Sequence, residues 1–537
     1  MDNARTLGLL LERVVDGAES RPDEATTTAI LDQAARLAGA CLAPIAPEAD
    51  RQGCLMVDGR VRTPPGYREA WREYADGGWA GLTAPEASGG QGLPMALAAA
   101  VQELLDAADP AFGMLAISVR CATRLLARHG DPCLSAIWLP KLAAGAWGAT
   151  ICISEPQAGS DVGRIRTRAM QGANGAWRIT GEKCWISCGD HDLTERIGHF
   201  VLARPRGAPD GTRGLSLFLV PDTRDNGTRN GVSVARAEEK LGLHASPTCA
   251  LVFEDAAATP VGPEGRGLST LFAMITAMRL GVASQGAAVA NAAVAVAERY
   301  ARDREQGALS DGSLARIIAH AEVRRLLLGM RLRAEAVRLM ALQAAAWVDA
   351  ADRGDAAART RAGMLLPIAK TLGAEAAFAN ADAAIQVLGG AGYVRDWPVE
   401  RMLRDSRVFA IYEGTTAIQG LDLLLRHVPA PGALRDLLAH LEPDPALTTT
   451  VEAAADFLSE VGVRQREAAA VPFLRLLGLA CTDGLLRRAG RAAGPLADRY
   501  AALAAFYAVE APPRAAALAA RCRLGDLDAV FDRVFPN

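Results

Sequence analysis

The sequence predicts an α+β protein with an N-terminal helical domain, a middle β-sandwich or barrel domain, a C-terminal helical bundle and an appended helical domain. Three observations predict it. Apolar residues recur at helical spacing up to about residue 148, short alternating runs between turn residues follow to about 262, and long alanine-rich helical stretches return afterwards. At 537 residues the chain exceeds one ordinary core, and 50% hydrophobic with 22% charged residues is the composition of a folded globular protein. Aromatic residues make up only 5%. Helices are therefore expected to pack closely through alanine, which loses almost no side-chain entropy in a helix.

Within residues 1–148, helices are expected over 26–42, 67–76, 95–105 and 117–129, with turn clusters at 87–92 and at Gly130-Asp131-Pro132. Residues 149–262 read as strands at 149–154, 177–179, 183–187, 199–203, 215–221 and 250–253, enough for a small sandwich or barrel. Residues 263–428 read as a bundle of helices over 268–302, 313–349, 361–372 and 374–388, followed by a glycine break at 389–392 and the segment 411–426. Pro429-Ala430-Pro431-Gly432 stops the last helix and reads as a linker. Residues 433–537, which contain no lysine, read as the appended helical domain.

Net charge is −3 and no long run of Lys or Arg occurs, so neither a nucleic acid nor an anionic membrane is an expected partner. The start, Met1-Asp2-Asn3-Ala4-Arg5, lacks the basic and apolar stretches of a secretory signal, and a cytoplasmic protein is expected. The apolar segment 286–297 is interrupted by Asn291, is shorter than a membrane span and reads as a buried helix. Ten cysteines without a CxxC pair and seven histidines without HExxH spacing give reduced structural thiols and no metal site.

Three motifs carry chemistry. In Ile151-Cys152-Ile153-Ser154-Glu155-Pro156-Gln157-Ala158-Gly159-Ser160-Asp161-Val162 a buried strand ends at Ser154, and Pro156 and Gly159 turn the chain with hydroxyls and backbone N–H groups exposed. Such a turn suits a phosphate or the polar edge of a flavin, although Pro/Gly turns after strands are also common structural devices. In Cys184-Trp185-Ile186-Ser187, Trp185 and Ser187 share a strand face, offering a flat apolar surface and a hydroxyl, although a Trp in a strand is usually a core residue and, taken alone, packing is the favoured reading. In Phe409-Ala410-Ile411-Tyr412-Glu413-Gly414-Thr415-Thr416 a carboxylate stands among apolar residues before a helix. Desolvation there would make it a stronger base, Gly414 would let a ligand approach the backbone, and the new helix would offer N–H groups to an anion. Taken alone, a solvated glutamate near a helix start is the commoner case, because glutamates are mostly exposed.

Taken together and in this order, the motifs resemble the acyl-CoA dehydrogenase family. The resemblance runs from about residue 27 to 428 and includes Gly89-Gly90-Gln91-Gly92, Leu139-Pro140-Lys141-Leu142, Glu239-Lys240-Leu241-Gly242, Val387-Leu388-Gly389-Gly390-Ala391-Gly392-Tyr393 and Leu403-Arg404-Asp405. Further matches resemble the longer, 3-methylmercaptopropionyl-CoA dehydrogenase-like branch, which carries an extra C-terminal helical domain. They are Pro64-Pro65-Gly66, Glu155-Pro156-Gln157-Ala158-Gly159-Ser160-Asp161, His191-Asp192-Leu193-Thr194-Glu195, Ser246-Pro247-Thr248-Cys249 and His320-Ala321-Glu322-Val323-Arg324-Arg325. Thr416-Ala417 departs from the Asn-Gly usual in that branch.

The resemblance implies FAD-dependent α,β-dehydrogenation of an acyl-CoA, with Glu413 removing the α-proton while the β-hydrogen leaves as hydride to flavin N5. It implies that Ile151, Ile153, Ser154, Ser160, Trp185 and Ser187 belong to the flavin pocket, with Ser187 donating to N5 and Ser160 approaching the CoA thioester arm. It implies further that Arg304, Gln386 and Gly390 hold the ADP half of FAD bound in a neighbouring subunit, so that the protein is a dimer or larger. Thr415 matches another FAD contact, Arg279 a residue that orders the substrate loop, and Gly414 a substrate contact. Some family members carry the base at the positions of Thr276 and Ala277; neither can ionise here, which leaves Glu413. No second redox motif is present, so an electron-transfer flavoprotein is the expected acceptor. An oxidase shares the fold and the base but has a longer C-terminal extension. An acyl group carried on a carrier protein stays open, and a DNA-shielding flavoprotein would want a basic C-terminal domain that this chain lacks.

Overall fold

The computed structural model describes residues 3–17, 20–525 and 527–536; Met1 and Asp2 of the N-terminal stretch lie outside the described residues. The chain forms two compact units, one of Met1–Asp32, Pro94–Leu104 and Val282–Asn537, the other of Gln33–Leu93 and Leu105–Gly281.

The second unit is built on a barrel. A hairpin of β1 (Leu55–Val57) and β2 (Arg60–Arg62) precedes strands β3 (Trp147–Cys152), β4 (Arg168–Gln171), β5 (Trp177–Ser187), β6 (Arg196–Pro205), β7 (Ser216–Pro221), β8 (Val232–Ala237) and β9 (Thr248–Pro260). The ladder runs β3-β6-β4-β5-β9-β7, the β6–β7 pairing closes the ring, and β8 adds to β9. Alternate residues turn inward, so Cys152, Ala169, Ile179, Ile186, Val201, Phe218, Leu251 and Phe253 fill the interior. Val61 from the hairpin joins this core, and the Asp190 carboxylate accepts from its N–H at 2.7 Å and from Arg60 Nε at 2.8 Å.

Several sequence expectations change here. The stretches 177–179 and 183–187 are one strand, with register shifts between Ile179 and Gly181 and between Lys183 and Ile186. Strands β4 and β8 went unrecognised because their outward positions carry Arg168 and Arg236, and the alanines at 256–258 hid the length of β9. The hairpin inside the helical N-terminal region did have a signal: Asp58-Gly59, both at positive φ, is a tight-turn pair.

In the first unit, Gly267–Asp303 (from Val282 onward), Ala321–Asp352 and Ala356–Leu388 pack around Ala287, Ala290, Val294, Met330, Ala334, Val337, Ala384 and Val387. The Asn380 amide ties all three together, donating to the Ala290 and Met330 carbonyls at 3.1 and 2.9 Å. Two boundaries differ from expectation. Residues 361–388 belong to one helix, because Gly373 lies in a tight helix crossing instead of a break. The helix expected from 313 starts at Ala321, after a second hairpin of β10 (Glu305–Ala308) and β11 (Leu314–Arg316).

The extra C-terminal helices, Ala433–Leu441, Pro445–Glu460, Val463–Ala492, Ala497–Cys522 and Leu527–Val534, lie within the first unit. Arg361 grips Asp436 at 2.7 Å, Arg475 reaches Glu375 at 2.7 Å, and the Tyr500 hydroxyl donates to Glu335 Oε2 at 2.7 Å. The helices Pro110–His129, Gly267–Asp303 and Val463–Ala492 are long and apolar enough to cross a membrane, so 286–297, expected to be shorter than a span, lies within a helix that is long enough. Between 83% and 89% of their apolar windows is buried within the protein, which accounts for that composition by core packing.

Candidate active site

Glu413 stands in a turn, not in a helix. A short 3₁₀ segment, Arg407–Ala410, ends before it, and the next helix begins at Thr416, later than the expected 411. Glu413 has φ of 54° and Gly414 φ of 93°. A non-glycine residue in this region costs on the order of 1–2 kcal/mol, and it persists only where its surroundings over-determine it. Three side chains from three helices do so. The Tyr412 hydroxyl donates to Gln285 Oε1, Gln419 Nε2 donates to the Glu413 carbonyl at 2.9 Å, and Lys370 Nζ donates to the Gly414 carbonyl at 2.7 Å. Gln285, Gln419 and Lys370 are all fully buried, whereas Glu413 is half-buried. A Cβ on Gly414 would lie 2.8 Å from Gln419 Nε2, so only glycine lets that amide cross the turn. The Thr415 hydroxyl is engaged as an N-cap, accepting from the Ile418 N–H at 3.4 Å.

On the barrel, Ser154 lies just beyond β3 and Trp185 and Ser187 near the end of β5. Trp185 has φ of 56° at the register shift, and its indole is 60% exposed while Ile186 beside it is buried. Ser187, Ser154, Ile151 and Ile153 are half-buried and Ser160 is exposed. Among the described residues seven non-glycine residues have positive φ, and both Trp185 and Glu413 are among them.

In the turn that follows β3 is an ion pair that sequence reasoning missed. Lys183 and Glu155 are 1% and 3% exposed, and Lys183 Nζ donates to Glu155 Oε1 and to the Ile153 carbonyl, each at 2.9 Å. Glu155 also accepts from the Thr167 hydroxyl at 2.6 Å, the Arg166 N–H at 2.7 Å and Gln157 Nε2 at 2.6 Å. Burial pushes the Glu155 carboxyl up, but the Lys183 ammonium and these donors outweigh it and hold it below the usual carboxylate range. With the Cys184 N–H donating to the Ser154 carbonyl at 3.0 Å, the pair sets Ser154 and Trp185 in one frame.

Arg304, Gln386 and Gly390 are exposed in the first unit, as are Tyr393 and Val394 just after Gly390 in the chain. Arg279 lies half-buried on the helix Gly267–Asp303, which also carries Thr276 and Ala277.

Residues 24–146, 150–256 and 265–427 match the N-terminal, middle and C-terminal domains of acyl-CoA dehydrogenase. The chain is 39% identical over 416 residues to 3-methylmercaptopropionyl-CoA dehydrogenase of Ruegeria pomeroyi, a match covering 75% of this chain and 71% of that one. The chain belongs to the acyl-CoA dehydrogenase family. It is likewise 35% identical over 437 residues to the broad-specificity linear acyl-CoA dehydrogenase FadE5 of Mycobacterium tuberculosis, covering 77% of this chain and 71% of that one. The fold also matches an acyl-CoA dehydrogenase complexed with FAD from Bacillus anthracis, with TM-score 0.79 and 19% identity over 95% of this chain and 90% of that one.

As a member of the family the chain is an FAD-dependent oxidoreductase with acyl-CoA dehydrogenase activity. It has the family's three-part fold with additional C-terminal helices, as the sequence predicted. The buried Gln419 beside Glu413 gave no sequence signal of its own. Lys370 is the one lysine in an alanine-rich apolar helix, and that oddity could have drawn attention to it.

Proposed function

We propose that the chain converts an acyl-CoA thioester into the 2-enoyl-CoA with Glu413 as the base. The observation that carries this is the left-handed turn at Glu413, a strained carboxylate-bearing backbone tied down by three side chains. The Glu413 carboxylate takes the α-proton, and its backbone N–H donates to the thioester oxygen as charge develops there. Donors of this kind are typically worth about 3–4 kcal/mol each.

The barrel residues fit a flavin. A large indole, held outward by its positive φ and by strand pairing, is surface that a flat ring would cover, and the Ser187 hydroxyl stands two residues on. Ile151, Ile153, Ser154, Ser160, Trp185, Ser187 and Thr415 would hold FAD, and Ser160, Arg279 and Gly414 would orient the acyl-CoA. Bound FAD supplies the hydride acceptor, at N5. Arg304, Gln386 and Gly390 would serve a flavin bound in a second copy, which makes the working form a homodimer or larger. The exposed Tyr393, Val394 and Leu314 in this region support a partner there. We assign residues 1–148, 149–262, 263–428 and 433–537 to four domains, an electron-transfer flavoprotein as acceptor and the cytoplasm as compartment.

A panel of acyl-CoAs incubated with the purified yellow protein and an artificial electron acceptor tests the reading. Stoichiometric 2-enoyl-CoA is expected from at least one acyl-CoA. No enoyl product from any of them overturns the reading, and hydrogen peroxide formed at the turnover rate moves it to an oxidase.

A further inference from the structure

We infer that Lys370 and Gln419 are positioning residues that hold Glu413 in the left-handed turn from which it acts; the inference rests on Glu413 being the base. The two successive positive φ angles, 54° at Glu413 and 93° at Gly414, leave the direction of the Glu413 side chain dependent on the peptide planes that follow it. Those planes are set by their carbonyls. Gln419 Nε2 donates to the Glu413 carbonyl at 2.9 Å and to the Gly414 carbonyl at 3.3 Å, and Lys370 Nζ donates to the Gly414 carbonyl at 2.7 Å.

Both donors are completely buried, so water cannot take their place. The choice of residues is costly in a way that a purely architectural contact would not require. A buried ammonium gives up its hydration, which is tolerated only when its hydrogen bonds are well made. In return its bond to a carbonyl is charge-assisted, and so stronger than that of a neutral donor. Gln419 is also used one-sidedly. Its Nε2 serves two carbonyls, while its Oε1 is buried without a hydrogen-bond partner. Reversing the amide would aim Oε1 at two carbonyl oxygens, so the turn dictates its orientation. Gly414 is shaped to the same contact, since a Cβ there would meet Nε2 at 2.8 Å.

The two donors come from different elements. Lys370 sits mid-way along Ala356–Leu388 and Gln419 on Thr416–Asp422, so together they brace the turn from two sides. Proton abstraction depends steeply on placement, and a shift of about 1 Å can cost on the order of 100-fold.

The test is single-turnover flavin reduction by a good acyl-CoA, measured by stopped flow on the FAD-loaded holoenzyme. The variants are Lys370→Met, Gln419→Met, Glu413→Gln and the double variant Lys370→Met/Glu413→Gln. Positioning predicts that each of the first two keeps its FAD and its dissociation constant for a non-reducible thioether analogue of the acyl-CoA within about threefold, yet loses reduction rate by about 100-fold. The double variant should be no slower than Glu413→Gln alone. Wild-type rates in both single variants overturn the inference while leaving the base assignment intact. Loss of rate only in step with loss of FAD or of fold in both variants also overturns it, as does an additional loss in the double variant. Reduction at wild-type rate by Glu413→Gln strikes the base assignment itself, a different outcome from any of these.

Discussion

A Cβ on Gly286 would lie 2.3 Å from the carbonyl carbon of Gly373. The two helices that carry these glycines therefore cross in backbone contact, and the crossing stands next to Gln285 and three residues from Lys370, which both reach the turn around Glu413. A methyl group at either position has backbone, not a flexible side chain, in its way. Gly286→Ala is expected to destabilise the protein by about 1–3 kcal/mol through overpacking and to slow flavin reduction. Denaturant unfolding and stopped-flow reduction of the same preparation check both.

A second prediction concerns the buried charges that join the extra C-terminal helices to the bundle. Arg338, 2% exposed, donates to Glu103 and to Glu335 Oε2 at 3.0 Å, and Tyr500 donates to the same Glu335 oxygen. Burial pushes the Glu335 carboxyl up, but Arg338, Arg331 and the Tyr500 hydroxyl outweigh it and hold it low. Arg338→Met leaves two buried carboxylates without their shared cation and is expected to cost about 3–5 kcal/mol. Tyr500→Phe removes one donor and is expected to cost about 1–3 kcal/mol. Urea midpoints of the two variants should fall in that order.

The barrel carries a pH dependence. Burial pushes His191 and His199 down to about 4, from an ordinary value near 6.5. The folded state thus refuses a proton that the unfolded chain accepts. The stabilisation is fully present above about pH 6.5 and is lost as pH falls toward 4, at up to about 1.4 kcal/mol per pH unit for each histidine. Melting temperatures between pH 7.5 and 5.5 should decline more steeply for wild type than for His191→Gln/His199→Gln. Parallel slopes would mean that these histidines are not the cause.

Much of this was legible in the sequence. The change from helical spacing to alternation and back gave the order of helical, β and helical parts, because periodicity reports which face is buried. The motif around Glu413 marks the carboxylate within the sequence itself. What stayed hidden depends on long-range approach. The crossing at Gly286 and Gly373 made one helix of residues that local glycine content divides in two. Strand β4 carries Arg168 outward over a buried Ala169, so its apolar half is a single small residue. Lys370, Gln419 and the Lys183–Glu155 pair matter through partners 5 to 44 residues away, and no spacing rule announces them.

Glu413→Gln tests the role of Glu413 as the base most directly, because glutamine keeps the shape without the basicity. The variant should purify yellow, bind acyl-CoA, and lose flavin reduction by several orders of magnitude, beyond the roughly 10²–10⁴-fold usual for removing a general base, because proton and hydride removal are coupled. Glu400→Gln and Asp405→Asn should reduce at rates close to wild type. Anaerobic stopped-flow reduction by a good acyl-CoA makes the measurement: a nearly unreactive flavin in Glu413→Gln is the predicted result, and reduction at a near wild-type rate would contradict the assignment.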